Sequence, residues 1–305
     1  MRAAAAIVLI AAAGPSGYWQ RAEPLPVARS EVAVAVVAGD MYVVGGSGNG
    51  DVDQALVEAF DVRSHTWRDV APLPRGLNHI AAVGYNGRLY VFGGFSAQNN
   101  LAVSDAGVYD PANNRWSALA PLPHPLGSIS AAVLGDRIHL VGGRATHSVR
   151  THLVYDPRTN TYASRSPLPV GRDHMGLVAF DNKLYAIGGR VDAPAHNTSY
   201  VDRYDPSRDA WSAGAAMPTA RSGMAVALYE GRIFAIGGEQ AGMERAFATN
   251  EAYDPATDRW SSYAALPEGR HGTGAAVVDG RLYVPAGAPV PGGSRQSNTL
   301  LVFTL

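Results

Sequence analysis

Residues 81–116 read AAVGYNGRLYVFGGFSAQNNLAVSDAGVYDPANNRW. Two short apolar stretches flank a tight turn at 86–87, and the second stretch ends in the glycine pair 93–94. A polar loop follows, then the tripeptide Tyr-Asp-Pro at 109–111 and a tryptophan at 116. Short apolar and aromatic stretches separated by glycine and proline turns are typical of antiparallel strands. The stretch therefore predicts a unit of four antiparallel strands without a helix.

The same landmarks return six times along the chain. Each unit carries a glycine pair at the end of its second predicted strand, with one degenerate member: Gly45-Gly46, Gly93-Gly94, Gly142-Gly143, Gly188-Gly189, Gly237-Gly238 and Ala286-Gly287. Successive pairs are 46 to 49 residues apart, and an internal repeat of this length indicates a repetitive or circular fold. Insertions and deletions are confined to the loop after the glycines, so we expect that loop to form a variable surface.

The two ends of the chain carry complementary fragments of the repeat. Trp19 precedes Pro26 with the spacing of a fourth strand, but the strands before it are missing. At the other end, residues 300–303 have the pattern of a third strand without a fourth. A closed ring removes the exposed edges that an open array of sheets would leave. We therefore expect the N-terminal strand to become the outer strand of the sixth unit.

The landmark order resembles the Kelch repeat: strand, turn, Tyr-x-x-Gly-Gly strand, loop, Tyr-Asp-Pro strand and Trp strand. The resemblance covers residues 18–305 and departs from the pattern at Ala286 and at Tyr162, which replaces a tryptophan. It implies an all-β fold, a six-bladed Kelch β-propeller with four antiparallel strands per blade. One propeller domain is expected over 14–305, with approximate blades 27–72, 75–121, 124–167, 170–216, 219–265, and 268–305 plus 17–24.

Composition excludes several functions. The formal net charge is −1 and no basic run interrupts the chain, so we expect no nucleic-acid partner. The chain has no cysteine, which removes disulfides, thiolate metal sites and thiol nucleophiles. Galactose-oxidase-like Kelch enzymes use a tyrosine crosslinked to cysteine, so the resemblance does not extend to a copper-radical oxidase. Lys183 is the only lysine among 25 basic residues, which suggests a GC-rich bacterial genome.

The N-terminus has the pattern of a signal peptide. Arg2 precedes an apolar stretch at 3–9 that ends in the alanines 11–13. The stretch is too short to cross a bilayer, which needs about 20 apolar residues, and no other stretch is a candidate membrane span. We therefore predict that residues 1–13 direct export to the periplasm or beyond. The alternative is a cytoplasmic protein whose leader is not a signal peptide.

A first column of the repeat lies three residues after each proline, directly before the innermost strand: Arg29, Leu77, Leu126, Arg172, Arg221 and Arg270. These positions share a face with the variable loops, so we predict an arginine-lined bowl at the channel mouth, enlarged by Arg144 and Arg190. In Kelch propellers such positions often supply arginines that grip acidic ligands, and the guanidinium fork suits carboxylates. The alternative is that each arginine pairs with a neighbouring carboxylate, such as Glu31, Asp173 or Glu239, and locks the blades together.

A second column lies two residues further along the chain: Glu31, His79, Ser128, His174, Gly223 and Gly272. Glu31, His79 and His174 are residue types that ligate metals. They belong to the first, second and fourth blades, however, and would have to converge across a wide opening. We therefore expect no metal and no cofactor, and we interpret the rim histidines as solvated or hydrogen-bonded.

These patterns leave two functions open. We predict a non-catalytic recognition module, a monomer that binds an acidic protein segment or glycan in the bowl. Resemblance to Kelch-type sugar mutarotases, including those that act on sialic acid, implies the alternative, a cofactor-free mutarotase or epimerase of the periplasm. Its chemistry needs an acid and a base beside a ring oxygen. Glu239, His174 and Asp173 are the catalytic candidates, and Arg172 or Arg221 would hold a substrate carboxylate.

Overall fold

The structure, a computed structural model, describes residues 16–292 and 294–305. The predicted signal peptide at 1–13 lies outside these described residues. Six four-stranded antiparallel sheets form the expected all-β, six-bladed propeller. Strands adjacent in sequence pair within each blade, apart from the strand that closes the ring. No helix in the described part of the chain has the length and apolar character needed to cross a membrane.

The strands of the first three blades are, in chain order, Ala33–Val37, Asp40–Val44, Val57–Asp61 and Thr66–Asp69; Ala81–Tyr85, Arg88–Phe92, Ala106–Asp110 and Arg115–Ala118; Ser130–Leu134, Arg137–Val141, His152–Asp156 and Thr161–Ser164. Those of the last three are Gly176–Phe180, Lys183–Ile187, Val201–Asp205 and Ala210–Ala213; Ala225–Tyr229, Arg232–Ile236, Asn250–Asp254 and Arg259–Ser262; Ala276–Val278, Arg281–Pro285, Leu300–Thr304 and Tyr18–Ala22. A hairpin of Phe95–Ser96 with Leu101–Ala102 and a 3-10 helix at Pro194–His196 lie in variable loops.

The N-terminal strand closes the ring as expected. Tyr18–Ala22 runs antiparallel to Leu300–Thr304, and Tyr18 is paired with Thr304. The Trp19 ring lies 5.0 Å from the Phe303 ring, and its Nε1 donates a hydrogen bond to Ala264 O of the fifth blade at 2.7 Å. The first strands of successive blades contact one another around the full circle, so they surround the central channel.

The repeated aromatic residues hold neighbouring blades together. Trp116 Nε1 donates a hydrogen bond to Ala71 O of the preceding blade at 2.7 Å, and the other tryptophans make the equivalent contact. Tyr162 takes the same role in blade 3, because its hydroxyl donates to Ala120 O at 2.8 Å. The tyrosines of the Tyr-Asp-Pro tripeptides are buried, so these residues serve packing rather than ligand binding.

The glycine pairs meet a demand of the backbone. Gly93 and Gly94 have φ values of 61° and 115°, a region that residues with a Cβ avoid. A Cβ on Gly93 would lie 2.1 Å from Leu126 O of the next blade, so no side chain fits there. Ala286 keeps a φ of 58°, and the degenerate sixth pair therefore retains the backbone path of the others.

Candidate functional site

The first column does not line the channel mouth. Arg29, Arg172 and Arg221 are fully buried, and Arg270 is 1% exposed. A guanidinium group in this position cannot reach a ligand in the channel. The predicted arginine-lined bowl is therefore wrong for these four residues.

Each buried arginine instead ties the start of its blade to the same blade's inner strands. Arg221 donates to Glu251 Oε2 at 2.6 Å and to the carbonyl oxygens of Ala235 and Gly237, both at 2.8 Å. Arg172 pairs with Asp202 at 2.6 Å, and Arg29 pairs with Glu58. The alternative, in which carboxylates neutralise the arginines, holds for these three, although the partners are carboxylates of the third strand.

Blade 6 breaks this rule. Arg270 donates to Ala286 O at 3.0 Å and Thr299 O at 3.3 Å, but among the described residues no carboxylate lies within 4.0 Å of its guanidinium. Burial lowers the pKa of Arg270 to about 10, because the charged form is poorly solvated there. Leu301 occupies the third-strand position that Glu251 holds in blade 5, since both residues are paired with the middle of the second strand.

The second column forms the mouth of the channel. All six members have left-handed backbones, with φ of 53° at Glu31, 51° at His79 and Ser128, 52° at His174, 64° at Gly223 and 63° at Gly272. Backbone hydrogen bonds link neighbouring members: His79 N donates to Glu31 O at 3.0 Å and Ser128 N to His79 O at 2.9 Å. We call these six residues the channel ring. They line a pocket of about 120 Å³.

The ring is narrower than expected. His79 Nε2 lies 2.9 Å from Glu31 Oε2, and the rings of His79 and His174 are 4.7 Å apart in a T-shaped arrangement. One ligand-type atom from each of the three side chains lies within 4.8 Å of the other two. The expectation that they would face one another across a wide opening is wrong, because the tight left-handed turns bring them inward.

A second layer of charged groups stands behind the ring. Arg190 donates to Glu239 Oε1 at 2.6 Å, to Asp173 Oδ1 at 3.3 Å and to His174 Nε2 at 2.8 Å. His271 Nδ1 lies 3.5 Å from Glu239 Oε2 and 3.6 Å from Glu31 Oε1. Opposite charges alternate in this layer, so its positive charge is compensated and does not present a cationic surface to a ligand.

The pKa values of the layer follow from these contacts. Burial and the nearby positive charge of Arg190 lower the pKa of His174 to about 4, so its ring is neutral at pH 7. Burial raises the pKa of Asp173, but the hydrogen bond from His174 and the charge of Arg190 outweigh it and hold that pKa well below its usual range. Burial likewise opposes ionisation of Glu31, yet contact with His79 and the proximity of His271 keep its pKa low.

The remaining predicted site residues have mixed positions. The Arg190 side chain is buried and fully engaged, and the Arg144 guanidinium packs 4.9 Å from the Phe95 ring centroid. His174 lines the pocket, whereas Asp173 and Glu239 lie behind it. The three catalytic candidates are therefore brought together, but only His174 faces a ligand.

Sequence reasoning missed several of the residues that build the site. Asn78 and His271 share a column with Asp173, one residue before the ring, and the polar members of that column were an available signal. Glu58, Asp202 and Glu251 occur only in blades whose first-column residue is arginine, so pairing between the two columns was a second signal. Ser148 lies in a variable loop and has no repeat position.

Comparison with known proteins agrees with this architecture. The Kelch-repeats domain of KLHDC2, KLHL20 and DRC7 matches residues 16–189, and the Kelch motif matches residues 171–218 and 220–267. Because the first match covers more than half of the chain, the protein belongs to the Kelch-repeat family.

Two relatives illustrate the similarity. Kelch-like protein 35 of Mus musculus is 42% identical over 59 residues, which are 19% of this chain and 10% of that protein. This chain therefore matches about a tenth of that relative's length. The solved structure of YjhT matches with a TM-score of 0.81 at 16% identity, over 93% of this chain and 97% of that chain. At this identity the likeness to YjhT establishes the fold alone.

Proposed function

We propose that the protein is a non-catalytic recognition module that binds a neutral glycan end at the channel ring. The observation that carries this proposal is the polar pocket of about 120 Å³ on the face of the variable loops. Carboxylate, imidazole and hydroxyl groups of Glu31, His79, Ser128 and His174 line it, and such groups hydrogen-bond to sugar hydroxyls.

The size of the pocket favours a glycan end over a protein segment. Its volume corresponds to about four water molecules, taking about 30 Å³ for each. One face of a sugar residue fits such a pocket, whereas a peptide strand needs a longer groove. The variable loops around the ring offer further contacts to the rest of a glycan chain.

The charges favour a neutral ligand over the acidic one expected from the sequence. The four arginines of the first column are buried, and Arg190 is already paired with Glu239 and Asp173. Glu31 lines the pocket, and its lowered pKa keeps it ionised at pH 7. A ligand carboxylate entering the pocket would be repelled by that charge.

The proposal is tested by calorimetric titration with a panel of neutral, sialylated and acidic-peptide ligands. We expect binding of neutral glycans, weakened about tenfold or more in a Glu31→Gln variant because a charged hydrogen-bond acceptor is lost. A His147→Ala variant is the matched control, since the His147 side chain is 81% exposed on a loop away from the pocket. Preference for sialylated or peptide ligands, or equal loss in both variants, contradicts the proposal.

One observation favours the mutarotase alternative as a second candidate. His79 and Glu31 form a close acid–base pair in the pocket, 2.9 Å apart, and His174 stands beside them. Exchange of anomers needs proton transfer to a ring oxygen and from a hydroxyl, which such a pair can perform. Proton NMR of anomer exchange in reducing sugars, sialic acid included, tests it. Acceleration that disappears in Glu31→Gln and survives in His147→Ala supports an enzyme, and no acceleration at micromolar protein removes this candidate.

Export of the protein is also a proposal, and it rests on residues 1–13. Expression with and without these residues, followed by fractionation and intact-mass measurement, tests it. We expect a periplasmic product that lacks the leader. A full-length cytoplasmic product would favour the cytoplasmic alternative.

A further inference from the structure

We propose that Glu31, His79 and His174 form a binding site for one divalent transition-metal ion, with Zn²⁺ as the reference ion. The proposal does not depend on glycan binding, because metal binding is measured without a sugar. Two imidazoles and one carboxylate are a common ligand set for Zn²⁺ and for other first-row metals. The fourth coordination position would face the pocket and hold water.

The distances suit such an ion after small side-chain movements. Tetrahedral coordination with bonds of about 2.0–2.2 Å places ligand atoms about 3.3 Å apart. The Glu31 and His79 atoms are 2.9 Å apart, and the widest of the three separations is at most 4.8 Å. Rotations that move His174 by about 1–1.5 Å would complete the site.

Groups behind the ring orient both imidazoles for this role. His174 Nδ1 donates to Asp173 Oδ1, and Ser148 Oγ donates to the other oxygen of that carboxylate. His79 Nδ1 lies 2.6 Å from Asn78 Oδ1, and the amide of Asn78 is held in that orientation because its Nδ2 donates to Asp53 Oδ1 at 2.5 Å. In metal sites the ligating histidine nearly always donates its second N–H to an acceptor of this kind.

The close contact between His79 and Glu31 points the same way. With Nδ1 donating to Asn78, the neutral ring presents the lone pair of Nε2 toward Glu31 Oε2, which is also an acceptor. Two acceptors at 2.9 Å need a shared cation between or beside them, either a proton or a metal ion. The left-handed ring backbone holds both residues in this arrangement.

Arg190 competes with the metal. Its Nη2 donates to His174 Nε2 at 2.8 Å, which is the lone pair that a metal ion would use. The guanidinium stays compensated after release, because it also contacts Glu239 and Asp173. Arg190 is therefore expected to weaken metal binding, and an Arg190→Gln variant is expected to bind the metal more tightly than the original protein.

The test uses the full chain, free of any affinity tag and stripped with a chelator. Zn²⁺ binding is followed by competition with a chromogenic chelator, and Co²⁺ substitution reports the coordination through its visible absorption. We expect one ion per chain and a four-coordinate Co²⁺ spectrum. Binding should be lost in His79→Ala and His174→Ala, fall about 10–100-fold in Asn78→Ala, and be unchanged in the His147→Ala control.

Thermal unfolding of the metal-free variants shows that loss of binding is not loss of folding. If His174→Ala is unstable, His174→Gln and the tighter binding of Arg190→Gln provide the same information. The proposal is overturned by absence of stoichiometric binding, or by binding that persists in the His79→Ala variant. Equal loss in His147→Ala would also overturn it. Glycan titrations of the stripped protein separate failure of the metal site from failure of the recognition function.

Discussion

Two columns of the repeat stand two residues apart in every blade, and the fold uses them in opposite ways. Arg221 of the first column is fully buried and bonded to the strands of its own blade. Gly223 of the second column lies on the channel ring and is bonded to the neighbouring blades. The left-handed turn at the ring causes this difference, because it reverses the direction in which the chain presents its side chains.

The comparison separates stability from recognition. In the first column one residue type, arginine, recurs in four blades and meets a carboxylate in three of them. In the second column the residue type changes from blade to blade, and only Glu31, His79 and His174 carry titratable groups. A repeated residue answers a demand that every blade makes, whereas an unrepeated residue on a shared surface is free to bind a ligand.

The largest expected effect comes from breaking a buried ion pair of the first column. Arg221→Leu leaves Glu251 buried without its partner, so we expect a loss of about 3–5 kcal/mol in the free energy of unfolding. The double variant Arg221→Leu with Glu251→Leu should recover most of it, because blade 3 has Leu126 and Leu153 at these positions. Urea unfolding followed by tryptophan fluorescence measures both.

The same variants test the division between the columns. Ligand or metal binding by the folded fraction should be unchanged in Arg221→Leu, since the guanidinium does not reach the pocket. A binding defect in the stable double variant would show that the first column contributes to recognition after all.

The next effect arises where blade 3 departs from the repeat. His139 and His152 are buried with the ring nitrogens 2.9 Å apart, whereas the other blades have tyrosine or phenylalanine at the His139 position. Burial lowers the pKa of His139 to about 3 and that of His152 to about 4. In the unfolded chain both titrate near pH 6.5, so acid protonates the unfolded state first.

Stability from these histidines is therefore complete above about pH 6.5 and is lost as the pH falls toward 4. We expect a decrease of roughly 2–4 kcal/mol between pH 7 and pH 4, measured by urea unfolding across this range. A His139→Tyr variant restores the pattern of the other blades and should lose clearly less. Equal acid sensitivity in both proteins would assign the effect to other groups.

The smallest effect concerns the backbone of the channel ring. A Cβ on Gly223 would meet no atom closer than 3.6 Å, so Gly223→Ala adds only the cost of a left-handed conformation, about 1–2 kcal/mol. Ser128→Gly should change stability in the opposite direction by less than about 1 kcal/mol. Thermal denaturation of both variants checks the sign. A neutral Gly223→Ala would mean that the ring backbone relaxes and is not held by its neighbours.

Much of the architecture was set by the sequence alone. The recurrence of glycine pairs, Tyr-Asp-Pro tripeptides and tryptophans gave the number of blades, and the incomplete repeats at the two ends gave the closure by Tyr18–Ala22. These features depend on contacts within a repeat or between adjacent repeats, so the period of the sequence contains them.

Only the tertiary structure decided which column faces the channel. The carboxylates that neutralise Arg29, Arg172 and Arg221 lie on strands about 30 residues further along, and their pairing depends on sheet register. The width of the channel mouth, and hence the meeting of Glu31, His79 and His174, depends on how six blades close around one axis. A pattern along the chain gives the order of residues, but the direction of a side chain after a left-handed turn is fixed by the assembled ring.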